Sequence, residues 1–350
     1  MKKKNSFEHN EITPETKSSM KTRVITAVIL AAICIPCIFL GNWFFLALSI
    51  LISVFTAYEL VNVMHLKSKL RFLIMFVTIL FVVSAVYWIV FKNNIESFIN
   101  DPTSYDNTKV LSTGFNNISL STILILVAAA TYFFITLIEE DFTVFRACYL
   151  IAMVFVVGLC IQAFLYLRYS PFDVFNSLNT DEATLYDVSS PLFKYLQSSL
   201  LFVYVILGTI LNDIGAYFVG IFFGKHKLNP RISPKKTWEG FAGGCIISFI
   251  CTVAFAFIMD AVGLKILPNL SLEKWYWVLV ISAFMPLFAN LGDFTFSAIK
   301  RSFGIKDFSH ILPGHGGILD RIDSLLLVSG FVSVMLVFIN EGWETFKFIK

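Results

Sequence analysis

Charge is what this sequence lacks. Only 15% of its residues are Asp, Glu, Lys or Arg, while 57% are apolar, and a soluble domain carries about 25% charged residues. That shortage excludes an ordinary water-soluble core. Disulfide chemistry is missing as well. All six cysteines (Cys34, Cys37, Cys148, Cys160, Cys245, Cys251) lie inside apolar runs. Cys34 and Cys37 have CxxC spacing, but neither polar neighbours nor a second pair accompany them, so they read as buried membrane-helix residues. No internal repeat is visible, which leaves the inverted-repeat design of many transporters without support. The net charge of +3 is small, and nothing calls for a nucleic-acid partner.

What is present is apolar and clustered. The apolar residues, among them 38 Phe, fall in runs long enough to cross about 30 Å of hydrocarbon as helix. In lipid such runs must be helical, because the backbone has to satisfy its own hydrogen bonds. The expected fold is all-α, a polytopic integral membrane protein with about nine transmembrane helices near 24–41, 43–64, 72–91, 118–138, 145–166, 200–223, 241–262, 275–298 and 318–340. Residues 1–23 read as a basic tail before the first span. No small-residue cleavage site follows that span, so the segment is not expected to be a removed signal peptide. The division is then a tail, an N-terminal set of helices over 24–199 with long outer loops near 92–117 and 167–199, a functional membrane domain over 200–340, and a short tail over 341–350. A turn near Gly41-Asn42 makes the first two spans a hairpin.

Loop charge orients the chain. With the N-terminus inside, 19 of the 27 Lys and Arg residues fall on inner segments, as the positive-inside tendency requires. Both chemically rich loops, 224–240 and 299–320, are then cytoplasmic.

Those loops and the spans beside them hold the unusual residues. Gly208, Asn212, Ala216 and Gly220 recur every fourth position, a small-residue face suited to close helix packing. Beside it, Asp213 sits well inside a span. A carboxylate there costs at least ~2.5 kcal/mol, which makes it a functional candidate, with an interhelical hydrogen bond as the plainer reading. Asn290, Asp293, Ser297 and Lys300 follow the helical period and line one stripe, and Arg301 follows. The next loop carries Lys306, Asp307, His310, Pro313, Gly314, His315, Gly316 and Gly317, and its glycines allow close approach to a phosphate. Asp320 and Asp323 share one side of the first turn of the last span. Two carboxylates so close need something positive between them, for which Arg321, Lys300 or a divalent ion are the options. Oxygen-only ligands with room for phosphate suit Mg²⁺. In the other loop, Ser233-Pro234 has the signature of a helix start. With Arg231, Lys235 and Lys236 beside it, it reads as a polyphosphate site, or as a basic patch touching anionic headgroups.

Ser297-Ala-Ile-Lys300-Arg301, then Lys306-Asp307, then His315-Gly316-Gly317-Ile-Leu-Asp320-Arg321-Ile-Asp323 resembles the motif of the phosphatidate cytidylyltransferases, also called CDP-diacylglycerol synthases. Asn212-Asp213 and the Ile232–Gly240 stretch also look like this family, and the resemblance is strong over about 205–325. It implies phospholipid biosynthesis, in which CTP and phosphatidic acid yield CDP-diacylglycerol and pyrophosphate with Mg²⁺, and with K⁺ as a second cation. Asp293, Asp320 and Asp323 would hold the metal. Arg231, Lys235, Lys236, Lys300 and Arg301 would neutralise the triphosphate and the lipid phosphate. Asp293, Lys300, Arg301, His315, Asp320, Arg321 and Asp323 form the expected catalytic set. Asp213, Ser233, Ser297, Lys306, Asp307, Gly316 and Gly317 join the basic loop residues in substrate binding. The alternatives are a CTP-dependent kinase of a lipid alcohol, with His315 or Asp307 as base, and an ion-coupled transporter using Asp213 and Asp293. Small-xxx-small spacings at Gly220–Gly224 and Gly240–Gly244 permit close helix contacts, within one chain or in a homodimer.

Overall fold

The computed structural model of the chain describes residues 14–67, 69–92, 120–176 and 190–341. It is an all-α polytopic membrane protein with one small hairpin. Its long helices are α1 (Pro14–Leu40), α2 (Asn42–Asn62), α3 (Arg71–Lys92), α4 (Leu120–Ile138), α5 (Val144–Asn176), α6 (Leu200–Phe223), α7 (Trp238–Ala261), α8 (Trp275–Ser302) and α9 (Leu319–Glu341). Each overlaps one of the nine expected runs, but α1 starts at Pro14, ten residues before its run, and α5 ends at Asn176, ten residues beyond its run. Seven of them are long and apolar enough among the described residues to cross a membrane, and α3 and α4 contribute the shorter apolar stretches Arg71–Ser84 and Leu126–Ile138.

Helix α5 is central. Most of its apolar span is buried, and it packs on α2, α3, α4 and α9. Helices α6, α7 and α8 form a second group, joined to the first through α9. Isoleucine, phenylalanine and leucine still cover the outer faces, as lipid requires.

The turn between α1 and α2 falls where the sequence places it. Gly41 adopts φ +63° and Asn42 φ +42°. Arg168 on α5 holds that turn. Its Nε donates to the Ile38 carbonyl at 2.8 Å and a terminal nitrogen donates to Ser198 Oγ at 2.9 Å. A cation there answers the negative end of α1. Tyr169 donates to the Asn42 carbonyl at 2.9 Å. These two polar residues stop the hydropathy run at 166, yet they are buried, and α5 continues to Asn176. The helix therefore takes up the first ten residues of the segment 167–199 that was expected to be a loop. The other expected outer loop, the C-terminal tail and the first thirteen residues lie outside the described residues.

The helix start expected at Ser233-Pro234 is a correction. Residues Ser233–Thr237 form a strand, β2, antiparallel to β1 (Lys227–Asn229). Asn229 accounts for this, since its side-chain oxygen accepts from the Ile232 N–H at 3.3 Å and folds the chain back on itself. Pro234 is tolerated because both strands of a lone hairpin are edges. Helix α7 begins four residues later, capped by Thr237, whose hydroxyl accepts from Gly240 N–H at 3.1 Å.

Candidate active site

The site begins with the contact between α6 and α7. A Cβ added to Gly244 would lie 2.6 Å from the Asn212 carbonyl, and one on Gly240 would lie 2.7 Å from the Ala216 carbonyl. The small-residue face of α6 therefore lies backbone to backbone on α7, within one chain, and those spacings leave no argument for a homodimer. Ser248 on α7 donates to the Gly208 carbonyl at 2.7 Å. Helix α8 joins through Asn290, which donates to Asn212 Oδ1 at 3.0 Å. Helix α9 meets α8 at Gly292, where a Cβ would stand 2.6 Å from the Asp323 carbonyl.

This packing gathers three carboxylates from three helices. Asp293 on α8 lies close enough to Asp213 on α6 and to Asp323 on α9 for their like charges to repel. Lysines answer them. Lys236 leaves β2 to make an ion pair with Asp293 Oδ2, and its ammonium lies 4.6 Å from the Phe294 ring centre. Ser297 donates to Asp293 Oδ1 at 3.3 Å. Lys300, largely buried, stands 2.7 Å from Asp320 Oδ1 and 4.0 Å from Asp323 Oδ2. Of the options open in the sequence, it is Lys300 that separates Asp320 from Asp323 here.

Asp320 has a further occupation. Its Oδ2 accepts from the Phe308 N–H at 2.8 Å and the Gly317 N–H at 2.9 Å, so it closes the loop that precedes α9. Gly316 (φ +84°) brings the chain against this carboxylate, and a Cβ there would lie 3.1 Å from Oδ2. The loop is tied internally by Leu312 N–H to the Gly316 carbonyl and His315 N–H to the Leu312 carbonyl, both 2.9 Å.

Two cavities flank this centre. One of about 340 Å³ lies among α6, α7, α8 and the hairpin, and is lined by Asp213, Tyr217, Lys235, Lys236, Phe241 and Asp293. Its walls are part carboxylate and ammonium, part aromatic. The other, about 580 Å³, is bounded by Arg23, Lys306, Asp307, His310, His315 and Arg321. The His315 Nδ1 is buried without a hydrogen-bond partner among the described residues, which leaves that nitrogen for a ligand atom. Most of these six side chains are Arg, Lys or His within reach of an anion, the composition that phosphate oxygens match.

The remaining expected residues divide. Arg231 is exposed at the tip of the hairpin and Ser233 is half-buried in β2. Neither lines a cavity described above. Arg301 points away from the carboxylates, donating to the Ile232 carbonyl at 3.3 Å and the Ile305 carbonyl at 2.7 Å. It ties the end of α8 to the hairpin. Sequence reading missed Arg23, whose position in an N-terminal basic cluster carries no mark of its partner loop. Nor was Glu59 among the expected site residues, although a lone carboxylate at the end of an apolar run was the available signal. Among the described residues no three His, Cys, Asp or Glu side chains stand close enough to enclose a metal ion.

The sequence matches the model of the cytidylyltransferase family over residues 21–339. The chain belongs to that family. Membership covers the first five helices as well as the region around the motif. Among curated relatives, the phosphatidate cytidylyltransferase of Staphylococcus saprophyticus is 30% identical over 320 residues, covering 91% of this chain and 99% of that one. Those of Staphylococcus haemolyticus (43% over 134 residues) and Bacillus subtilis (46% over 125 residues) match 38% and 36% of this chain. In these two, the match spans under half of the relative's own length, 48% and 43%.

Proposed function

We propose that the chain transfers the cytidylyl group of CTP to phosphatidic acid, giving CDP-diacylglycerol and pyrophosphate. The observation that carries this is the meeting of Asp213, Asp293 and Asp323 from three membrane helices beside Lys236 and Lys300. Three acidic groups beside two lysines at one end of the bundle support a site that would hold an anionic substrate together with a divalent cation. The relatives named phosphatidate cytidylyltransferase support the choice of nucleotide and lipid.

In the proposed reaction a phosphatidate oxygen attacks the α-phosphorus of CTP. A new P–O bond forms, the bond from the α-phosphorus to the bridging oxygen breaks, and pyrophosphate departs opposite the attacking oxygen. The lipid phosphate is already anionic near neutral pH, so no strong base is required. Lys236 and Lys300 hold the charge of the reacting phosphates, and Arg321, Lys306 and His315 line the cationic cavity suited to the leaving pyrophosphate. Catalysis of this kind rests on positioning and charge stabilisation. These side chains do not enclose an ion by themselves, but Mg²⁺ takes few protein ligands beside phosphate oxygens and water, and hard oxygen donors at Asp293 and Asp323, with Asp213 beside them and Asp320 behind Lys300, suit that role. When bound, it would neutralise phosphate charge and polarise the α-phosphate. K⁺ is the proposed second cation of the same carboxylates.

The bundle end that carries the site also carries the basic loops, so we place it on the cytoplasmic side, in a bacterial plasma membrane as the relatives' sources support. CTP reaches it from water and phosphatidate from the bilayer. The deciding experiment incubates purified protein with Mg²⁺, phosphatidic acid and CTP labelled in the cytidine. Label recovered in CDP-diacylglycerol, with pyrophosphate released, is the expected outcome. Label recovered in free CDP, with phosphate gained by a lipid alcohol, would replace this reading with the kinase.

A further inference from the structure

Glu59 is the only charged residue of α2, and it is fully buried at 0% exposure. Its carboxylate reaches far along the chain. Oε1 accepts from the Ser309 hydroxyl at 2.6 Å and the Ile318 N–H at 2.8 Å, and Oε2 accepts from the Leu319 N–H at 2.8 Å. Ile318 and Leu319 stand at the start of α9, where backbone N–H groups have no partner within the helix and the helix dipole favours an anion. A residue 260 positions away thus caps the helix that carries Asp320 and Asp323. The fit is close, since a Cβ on Gly317 would lie 2.5 Å from Glu59 Oε1. This gives Gly317 a reason that a phosphate does not supply.

Asp320 works on the same loop from the other side, accepting from Phe308 and Gly317 N–H groups. The donors interleave along the chain. Phe308 and Gly317 go to Asp320, while Ser309, Ile318 and Leu319 go to Glu59. The two carboxylates therefore pinch together both ends of the 308–319 loop, and they stand close enough to repel one another. His315, with its unpartnered nitrogen, lies between the pinched ends.

We propose that Glu59 is a positioning residue, through which the N-terminal helices set the geometry of the loop and of the Asp320–Lys300–Asp323 group. This rests on the reading of that group as the active site. Without Glu59 the loop ends part, α9 loses its cap, and Asp320 and Asp323 shift against Asp293. The role concerns assembly of the reacting geometry rather than insertion or the bundle core.

The test uses full-length protein purified in detergent, comparing wild type, Glu59→Gln and Ser309→Ala. The amide introduced by Glu59→Gln would keep one acceptor oxygen, but its N–H₂ would face a backbone N–H, so at least one charge-assisted bond is lost. Hydrogen exchange of peptides covering 306–320 is expected to quicken about tenfold in Glu59→Gln, with peptides of α5 and α7 unchanged. Turnover is expected to fall about ten- to hundredfold, with KM for CTP changing far less. Ser309→Ala removes only one donor and shifts both readouts the same way by a smaller factor. If Glu59→Gln fails to insert, Ser309→Ala alone decides. Wild-type loop exchange or wild-type turnover in a folded variant overturns the proposal. Should the wild-type protein make no CDP-diacylglycerol, it is the activity reading that fails. The exchange experiment still tests the hold of Glu59 on the loop.

Discussion

At the scale of single residues, two aspartates of the expected metal site have different surroundings. Asp293 is half-buried, bound by Lys236 and by one serine hydroxyl. Asp320 is nearly enclosed and accepts from Lys300 and from two backbone N–H groups. Replacing either by Asn removes a charge from the site, and turnover in the CDP-diacylglycerol assay should fall about a hundredfold or more for each. Stability should separate them. Asp320→Asn breaks a buried, hydrogen-bonded ion pair, a change that costs roughly 3–5 kcal/mol, and should lower the thermal midpoint in detergent clearly. Asp293→Asn relieves repulsion among three carboxylates and should leave that midpoint near wild type. Equal losses of stability in the two variants would contradict this distinction. The stripe Asn290, Asp293, Ser297, Lys300 was legible from the sequence because a helix repeats about every 3.6 residues. What each member touches was not, because Asn212, Lys236 and Asp320 come from other elements.

At the scale of elements, the α6–α7 contact and the hairpin decide where the site sits. Gly244 has no room for a Cβ against the Asn212 carbonyl. Gly244→Ala must push the helices apart at the turn that carries Asp213. Overpacking of this kind costs about 1–3 kcal/mol, and we expect a lower thermal midpoint together with reduced turnover. The sequence showed the small-residue face of α6 but not its partner, since a four-residue period names a face without naming what covers it. The hairpin teaches the opposite lesson. Ser233-Pro234 and Thr237 both offer a hydroxyl before a helical run, and only the pairing of β2 with β1 selects the second. Thr237→Ala should therefore cost about 1 kcal/mol through loss of the α7 cap, whereas Ser233→Ala should leave stability near wild type. Thermal unfolding of the two single variants checks this, and a larger loss for Ser233→Ala would restore a helix start at Ser233.

At the scale of the whole molecule, the basic loops, the hairpin and the carboxylates lie at one end of the bundle. A cysteine placed at exposed Lys227 should react with a membrane-impermeant maleimide in inside-out vesicles and not in intact cells. Reaction in intact cells would invert the proposed orientation. The native cysteines sit within helices α1, α5 and α7 and provide the background control. The N-terminal helices have a place in this arrangement that hydropathy alone does not assign. They supply Glu59 beneath the loop and Arg23 at its mouth.

The sequence by itself determined that the chain is a helical membrane protein, where its apolar helices run, and which carboxylates stand out in them. Each of these follows from properties local to the chain: hydropathy over one span, and side-chain spacing over a few turns. The motif from Ser297 to Asp323 was legible for the same reason, lying within one stretch of chain. Tertiary structure alone decided that Lys236 meets Asp293, that Lys300 divides Asp320 from Asp323, and that Glu59 caps α9. Those contacts join residues 20 to 260 positions apart. Only the packing of glycine faces and the closing of the loop bring them within reach, and no periodicity along the chain encodes such distances.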